Sequence, residues 1–301
     1  MALLVAPAAA HTPGPVPPEA LWMSWNAEPL VLIPLMMALW LYGRGIRRLW
    51  ARAGRGRGVP GVSVLWFATG QAVLVIALVS PLNALGGTLL SAHMAQHGLL
   101  IGVVPALLLL GRPGVAFAWA LGGAWTWTAH PFAATLWRGL GRLGGALSRP
   151  LRAAALHGLL LWLWHAPALF EAAVAHHWLH ALEHACFFVP ALLFWRAVFD
   201  ARTSQRAGPA LAAAFVTFMH SGLLGGLITL APRPLYSVYV AHSAIWGLTA
   251  LDDQQLAGLL MWLPLGLPYL AAGLFLTSRL IFGHLDDDVV RDANTLSSSA
   301  T

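Results

Sequence analysis

The sequence predicts an all-α, polytopic membrane bundle of about seven transmembrane helices, and three observations carry that reading. First, 58% of the 301 residues are hydrophobic and only 9% are charged, against about 45–50% and about 25% in soluble domains. Second, the apolar residues fall in blocks of about 18 or more with almost no charge, the length an α-helix needs to cross a hydrocarbon layer of about 30 Å. Third, the remaining charge is sorted along the chain. Basic residues number 17 and acidic ones 11, for a net +6; all the basic ones are arginine, and they collect in alternate loops, as cytoplasmic loops require. These features exclude an ordinary soluble enzyme. The basic balance reads as loop arginine facing anionic lipid, with no nucleic-acid partner.

Uninterrupted apolar length gives the spans in order: Pro29 to Tyr42 with a Trp-rich lead-in, Val62 to Val79, Leu89 to Leu110, Leu151 to Ala168, Trp178 to Phe199, Ala210 to Leu230, and Leu256 to Phe282. Val115 to Thr128 is short for a span, and Trp119, Trp125 and Trp127 suit a helix lying at the headgroup level. Leu235 to Leu251 opens with Tyr236 and Tyr239, carries His242 and is interrupted by Gly247, so it reads as a re-entrant or capping segment. Arginines then orient the chain. The first loop holds Arg44, Arg47, Arg48, Arg52, Arg55 and Arg57; the third Arg112, Arg138, Arg142 and Arg149; the fifth Arg196, Arg202 and Arg206; the tail Arg279 and Arg291. The second and fourth loops have none and the sixth only Arg233, which places the N-terminus outside and the C-terminus in the cytoplasm.

Three regions follow. Residues 1–28 read as an extracytoplasmic Pro-rich segment, because the opening lacks a basic n-region and its apolar run is too short for a signal peptide. Residues 29–282 form the transmembrane domain. Residues 283–301, with Asp286, Asp287 and Asp288 followed by a Ser-rich end, read as a disordered cytoplasmic tail. Gly222 and Gly226, spaced as GxxxG, suit a close helix approach.

One cysteine, Cys186, excludes an internal disulfide or a multi-thiolate site, so metal chemistry must use His, Met or carboxylate. No nucleophile–base constellation or phosphate loop is visible, and no enzymatic activity is predicted. Ionisable groups inside a bilayer are functional candidates by default, and here they are mostly histidine, 13 in all. At about 1.5 Å per residue, His93, His97, His165, His180 and His184 all lie within roughly 12 Å of the outer surface. His93 and His97 are spaced i, i+4; His176, His180 and His184 form an i, i+4, i+8 row, with His177 beside it, so each set projects from one helix face. Two imidazoles one turn apart can share an ion, and Met94 and Met261 add thioethers suited to Cu(I). Glu183, Asp252 and Asp253 are placed to orient imidazoles. Plainer readings stand beside these: an intramembrane His that hydrogen-bonds to a neighbouring helix, an Asp252 or Asp253 that merely caps the last span, and His157 and His220 as packing residues.

Three strings carry a resemblance: HMAQHGLLIGVVPALLLLGRP from His93, WHAPALFEAAVAHHWLHALEHACFFVPALLFW from Trp164, and DQQLAGLLMWLPLG from Asp253. Together, from about Pro29 to Phe282, the chain resembles the CtaG-type cytochrome c oxidase assembly factors of bacteria. The resemblance implies a seven-span protein of the bacterial cytoplasmic (inner) membrane that serves haem-copper oxidase assembly by supplying copper. It marks His93, Met94, Gln96 and His97 in the first block; Trp164, His165, Pro167, Leu182, Glu183 and His184 in the second; Asp253, Gln254, Gln255, Met261 and Trp262 in the third. Ala257 and Leu265 stand where the pattern would carry glycine. The expected function is therefore an assembly factor that holds Cu(I) at an outer-leaflet His/Met cluster and passes it to an oxidase subunit, with a soluble periplasmic copper donor and membrane lipid as further partners. Alternatives are a b-type cytochrome with bis-His haem, a copper transporter, and a metal-free scaffold.

Overall fold

The apolar blocks fold as helices whose ends are set by proline, glycine and capping groups, in a computed structural model that describes residues 15–122, 139, 141–201 and 204–298. The described residues are predominantly helical, with no strand among them. In chain order the helices are α1 (Pro29–Ala53), α2 (Gly61–Leu78), α3 (Pro81–Gly86), α4 (Leu90–Gly98), α5 (Val104–Leu110), α6 (Pro113–Leu121), α7 (Pro150–Trp164), α8 (Pro167–Ala175), α9 (His177–Phe199), α10 (Ser204–Leu230), α11 (Ala250–Trp262) and α12 (Gly266–Ser298). Among the described residues six segments are long and apolar enough to cross a membrane: α1, α2, Leu90–Leu110, α9, Arg206–Leu230 and Ala250–Phe282; the α7–α8 pair, bent by 76°, brings the number to seven when taken as one broken span. The expected class therefore holds.

Several boundaries differ from the sequence expectation. Helix α1 runs past Tyr42 to Ala53, so Arg44, Arg47, Arg48 and Arg52 lie on a helix, not in a loop. Gly45 lets α6 approach α1 closely there: a Cβ on Gly45 would overlap the Ala116 backbone. Arg44 Nε and Arg48 donate to the Ala120 carbonyl at 3.1 and 2.8 Å, satisfying an open acceptor at the C-terminus of α6. Helix α6 holds the described part of the segment expected at the headgroup level, Val115 to Thr128, and buries Ala116 and Ala120. Trp125, Trp127, Arg138 and Arg202 lie outside the described residues, as do residues 1–14.

The third span is interrupted by a π turn over Leu99–Val103, next to Pro105, whose ring cannot follow a regular α turn. The fourth stops at Trp164, four residues before Ala168, because Ala166 precedes a proline and takes an extended backbone (φ −62°, ψ 127°). The last span starts earlier, at Ala250, under a Thr249–Asp252 capping box, and is broken after Trp262, where Pro264 lacks an N–H. Helix α12 continues to Ser298 through the segment expected to be a disordered tail; no Gly or Pro follows Gly283 to stop propagation. Gly222 and Gly226 are not the close approach: Gly226 faces open space and Gly222 meets the Trp262 ring. A Cβ on Gly258 would instead lie 2.5 Å from the Gly225 carbonyl oxygen, so α10 and α11 touch through those two backbones.

Two apolar cores result, one among α1, α2, α5 and α6 and the other among α4 and α7–α12. The chain's direction sorts the ends of the bundle. One end gathers the starts of α4, α9 and α11, the ends of α7 and α10, and the segment 231–249; the starts of α7 and α10 and the ends of α1, α5 and α9, near which the arginines cluster, lie at the other.

Candidate metal centre

Helical periodicity builds two of the three walls of the site. On α4, His93 and His97 are one turn apart and each only 1% exposed; their rings meet edge-on with centroids 4.2 Å apart. On α9, His180 and His184 repeat the arrangement at 4.2 Å. The two helices face each other across the cluster: His93 lies 5.2 Å from His180 and His97 5.5 Å from His184, ring to ring. The third wall comes from the bend after α7, which turns His165 inward to 6.0 Å from His97. Phe170 and Phe187 close the apolar surround, 5.0 Å from His93 and 4.7 Å from His97.

Glu183, expected only to support the imidazoles, sits at the centre of this arrangement. Fully buried, it brings Oε2 to 3.7 Å from His93 Nε2 and 3.8 Å from His97 Nε2. His93, His97, His180 and Glu183 each offer a ligand atom, and those atoms lie within 4.8 Å of one another. A tetrahedral ion with bonds of about 2.0–2.3 Å holds its donors about 3.5 Å apart, so small side-chain shifts suffice. None of His93 Nε2, either His97 nitrogen, His180 Nε2, His184 Nε2 or either Glu183 oxygen has a hydrogen-bond partner. Buried polar atoms in proteins are nearly always paired, and seven of the twelve unpaired ones among the described residues lie in this cluster.

Neighbouring groups set the tautomer of His93. Its Nδ1 lies 3.3 Å from the Gly86 carbonyl and 3.1 Å from the Tyr239 hydroxyl, which itself donates to Gly86 at 2.8 Å. A proton on Nδ1 satisfies both acceptors and leaves Nε2 with the lone pair facing Glu183. Burial pushes the Tyr239 hydroxyl well above its usual range, so it stays protonated as a donor. Tyr239 belongs to the segment expected to cap or re-enter. That segment does cap: Tyr236 donates to the His165 carbonyl at 3.0 Å, and Ser237 Oγ to Glu171 of α8 at 2.7 Å. Neither tyrosine was singled out as a site residue, although two tyrosines three apart in a Gly-broken outer segment were the available signal.

Other expected residues fall elsewhere. His176 is the extended N-cap of α9 and is exposed, so the i, i+4, i+8 row has only two inward members; His177, also exposed, packs on Trp178. Gln96 faces away, donating to the Ala77 carbonyl and Asn83 and so tying α4 to α2 and α3. Met261 is buried against Gly225 in the α10–α11 contact. Asp252 is occupied in its capping box, and Asp253 bonds no imidazole. Instead, Asp253 accepts from Leu90 N at 2.7 Å, Ser91 N at 3.0 Å and Ser91 Oγ, capping the N-terminus of the helix that carries His93 and His97. Gln254 beside it accepts from Leu235 N, fixing the capping segment. Asp253→Asn replaces an acceptor oxygen by a donor facing donors, and should cost about 1–3 kcal/mol. A clearly lower thermal unfolding temperature in detergent is expected; an unchanged one would show that the cap does not hold α4.

Over residues 40–281 the chain matches the family described as cytochrome c oxidase caa3 assembly factor. Among curated relatives, uncharacterized proteins of Mycobacterium bovis and Mycobacterium tuberculosis are each 27% identical over 228 residues, covering 69% of this chain and 32% of theirs. One of Mycobacterium leprae is 26% identical over 221 residues, with 68% and 32% covered. The chain thus spans about a third of the length of these relatives. No solved structure matches it.

Proposed function

The chain belongs to the cytochrome c oxidase caa3 assembly factor family, and from that premise we propose that it binds copper as Cu(I) at the histidine–glutamate cluster and delivers it to a subunit of haem-copper oxidase. The supporting observation is the set of buried donors without partners, contributed by His93 and His97 of α4 and His180 and Glu183 of α9. His184 flanks them, and His165 and Met94 lie beside them. Neutral imidazoles and a thioether suit Cu(I), and one carboxylate matches its charge. Arginine placement supports turning this end of the bundle outward, toward a soluble copper donor and away from the cytoplasm. The copper is cargo, so ligands that exchange by small movements near a surface serve delivery better than a rigid, saturated cage.

The packing gives less support to a bis-histidine haem. Two axial imidazoles must flank a flat macrocycle, whereas these rings touch one another, with Glu183 and two phenylalanines filling the space between and around them.

Purified full-length protein reconstituted with Cu(I) and desalted should retain copper and show no Soret band. The His93→Ala, His180→Ala double variant should lose it, with affinity down by about 10–100-fold or more. His176→Ala and His177→Ala, outside the cluster, should match the wild type. Full copper retention in the double variant, or none in the wild type, would end this reading.

A further inference from the structure

Met94 and His165 hold a contact that a neutral His165 ring leaves without a proton. His165 Nδ1 lies 2.7 Å from the Leu161 carbonyl oxygen, an acceptor, so Nδ1 carries the ring proton. In a neutral imidazole the other nitrogen, Nε2, is then a bare lone pair. That nitrogen lies 3.4 Å from Met94 Sδ, a thioether with no hydrogen of its own. Both side chains are buried, His165 at 4% exposure and Met94 at 0%. A doubly protonated ring would place N–H against sulfur, yet among the described residues no carboxylate lies within ion-pair distance of this ring; Glu183 comes that close only to His93 and His97. Two donors thus face each other at the spacing, about 3.5 Å, that adjacent nitrogen and sulfur ligands keep around one tetrahedral ion.

We propose a second, softer ion position made by Met94 Sδ and His165 Nε2, adjacent to and distinct from the His93/His180/Glu183 position. The proposal rests on the copper reading above and divides its site in two. His97 completes it: both its ring nitrogens are unpaired, and its ring lies 6.0 Å from His165 and 4.2 Å from His93, so it stands between the two positions. A neutral imidazole offers one lone pair at a time, so His97 serves either position by changing tautomer. Passage of an ion between them exchanges ligands only; Cu(I) remains Cu(I). The ligand sets also differ in preference. Imidazole with carboxylate accepts Zn(II) as well as copper, whereas a thioether favours Cu(I) and its soft analogue Ag(I).

The test uses the full-length protein in detergent micelles, with Cu(I), Ag(I) and Zn(II) as probes. X-ray absorption of the Cu(I)-loaded wild type should show a sulfur neighbour at about 2.3 Å, replaced by a selenium neighbour when the methionines are selenomethionine, a change that leaves packing intact. Met94→Leu, nearly equal in volume, should remove that neighbour and lower Cu(I) and Ag(I) affinity by about 10–100-fold, with Zn(II) affinity unchanged; Met219→Leu, at an exposed position of α10, should alter nothing. Absence of sulfur or selenium from the wild-type copper shell, its persistence in Met94→Leu, or an equal loss of Zn(II) and Ag(I) in that variant would overturn the second position. If Met94→Leu keeps Cu(I) while His93→Ala, His180→Ala loses it, the copper reading stands and only the soft position falls. If the wild type binds none of the three metals, both fall together.

Discussion

Cells in which His93 and His97 are both alanine should make an oxidase that contains haem but lacks copper and activity when the medium is poor in copper, and should regain activity when copper is added. The expectation follows from the ring contacts: His93 and His97 touch each other, His180, His184, His165 and Glu183, so losing both imidazoles removes one entire wall of the cluster. Delivery near the outer surface limits maturation only while copper is scarce, because excess free ion loads an accessible empty site by mass action. Oxidase activity and copper content, measured across a series of copper supplements, check the proposal. Normal activity under copper limitation would reject delivery and favour a metal-free scaffold. Activity lost at every copper level, with the oxidase polypeptides missing, would instead mean that the protein holds an assembly intermediate together.

Glu183→Gln should move stability and metal affinity in opposite directions. The carboxylate is 0% exposed and neither oxygen has a hydrogen-bond donor. A carboxyl group buried in that way costs several kcal/mol, whether it stays an unpaired ion or must hold a proton at neutral pH, a cost that a bound cation would offset and the metal-free protein must bear. Glutamine keeps the shape and removes the charge. The metal-free variant is therefore expected to unfold at a higher temperature than the wild type, by a few degrees for each kcal/mol recovered, while copper affinity falls by about 10–100-fold. Such opposition is characteristic of a functional residue held at a stability cost. Thermal unfolding in detergent with and without Cu(I) separates the two effects. A variant that melts lower without metal and binds copper as well as the wild type would assign Glu183 to the framework.

The sequence alone carries the membrane class, the approximate spans and the two histidine pairs, because each of these is local. Apolar length and charge sorting can be read without a fold, and an i, i+4 spacing fixes a shared helix face wherever the helix lies. It also identified segment 235–251 as something other than a plain span. Interruptions of helices had weaker signals: Pro105, Pro167 and Pro264 were visible, but hydropathy runs straight through them, so the π turn, the 76° bend and the break after Trp262 were hidden within apolar blocks. Tertiary structure decided how those pieces meet. Only the meeting of α4 with α9 makes Glu183 the centre of the cluster; in the sequence it is merely the neighbour of His184. The turn after α7 determines that His165 faces Met94, and the placement of α11 makes Asp253 a cap for a helix 162 residues away in sequence rather than a partner of an imidazole. Periodicity fixes directions within one helix, whereas contacts between helices depend on where each is broken and how closely glycine backbones such as Gly225 and Gly258 let them approach.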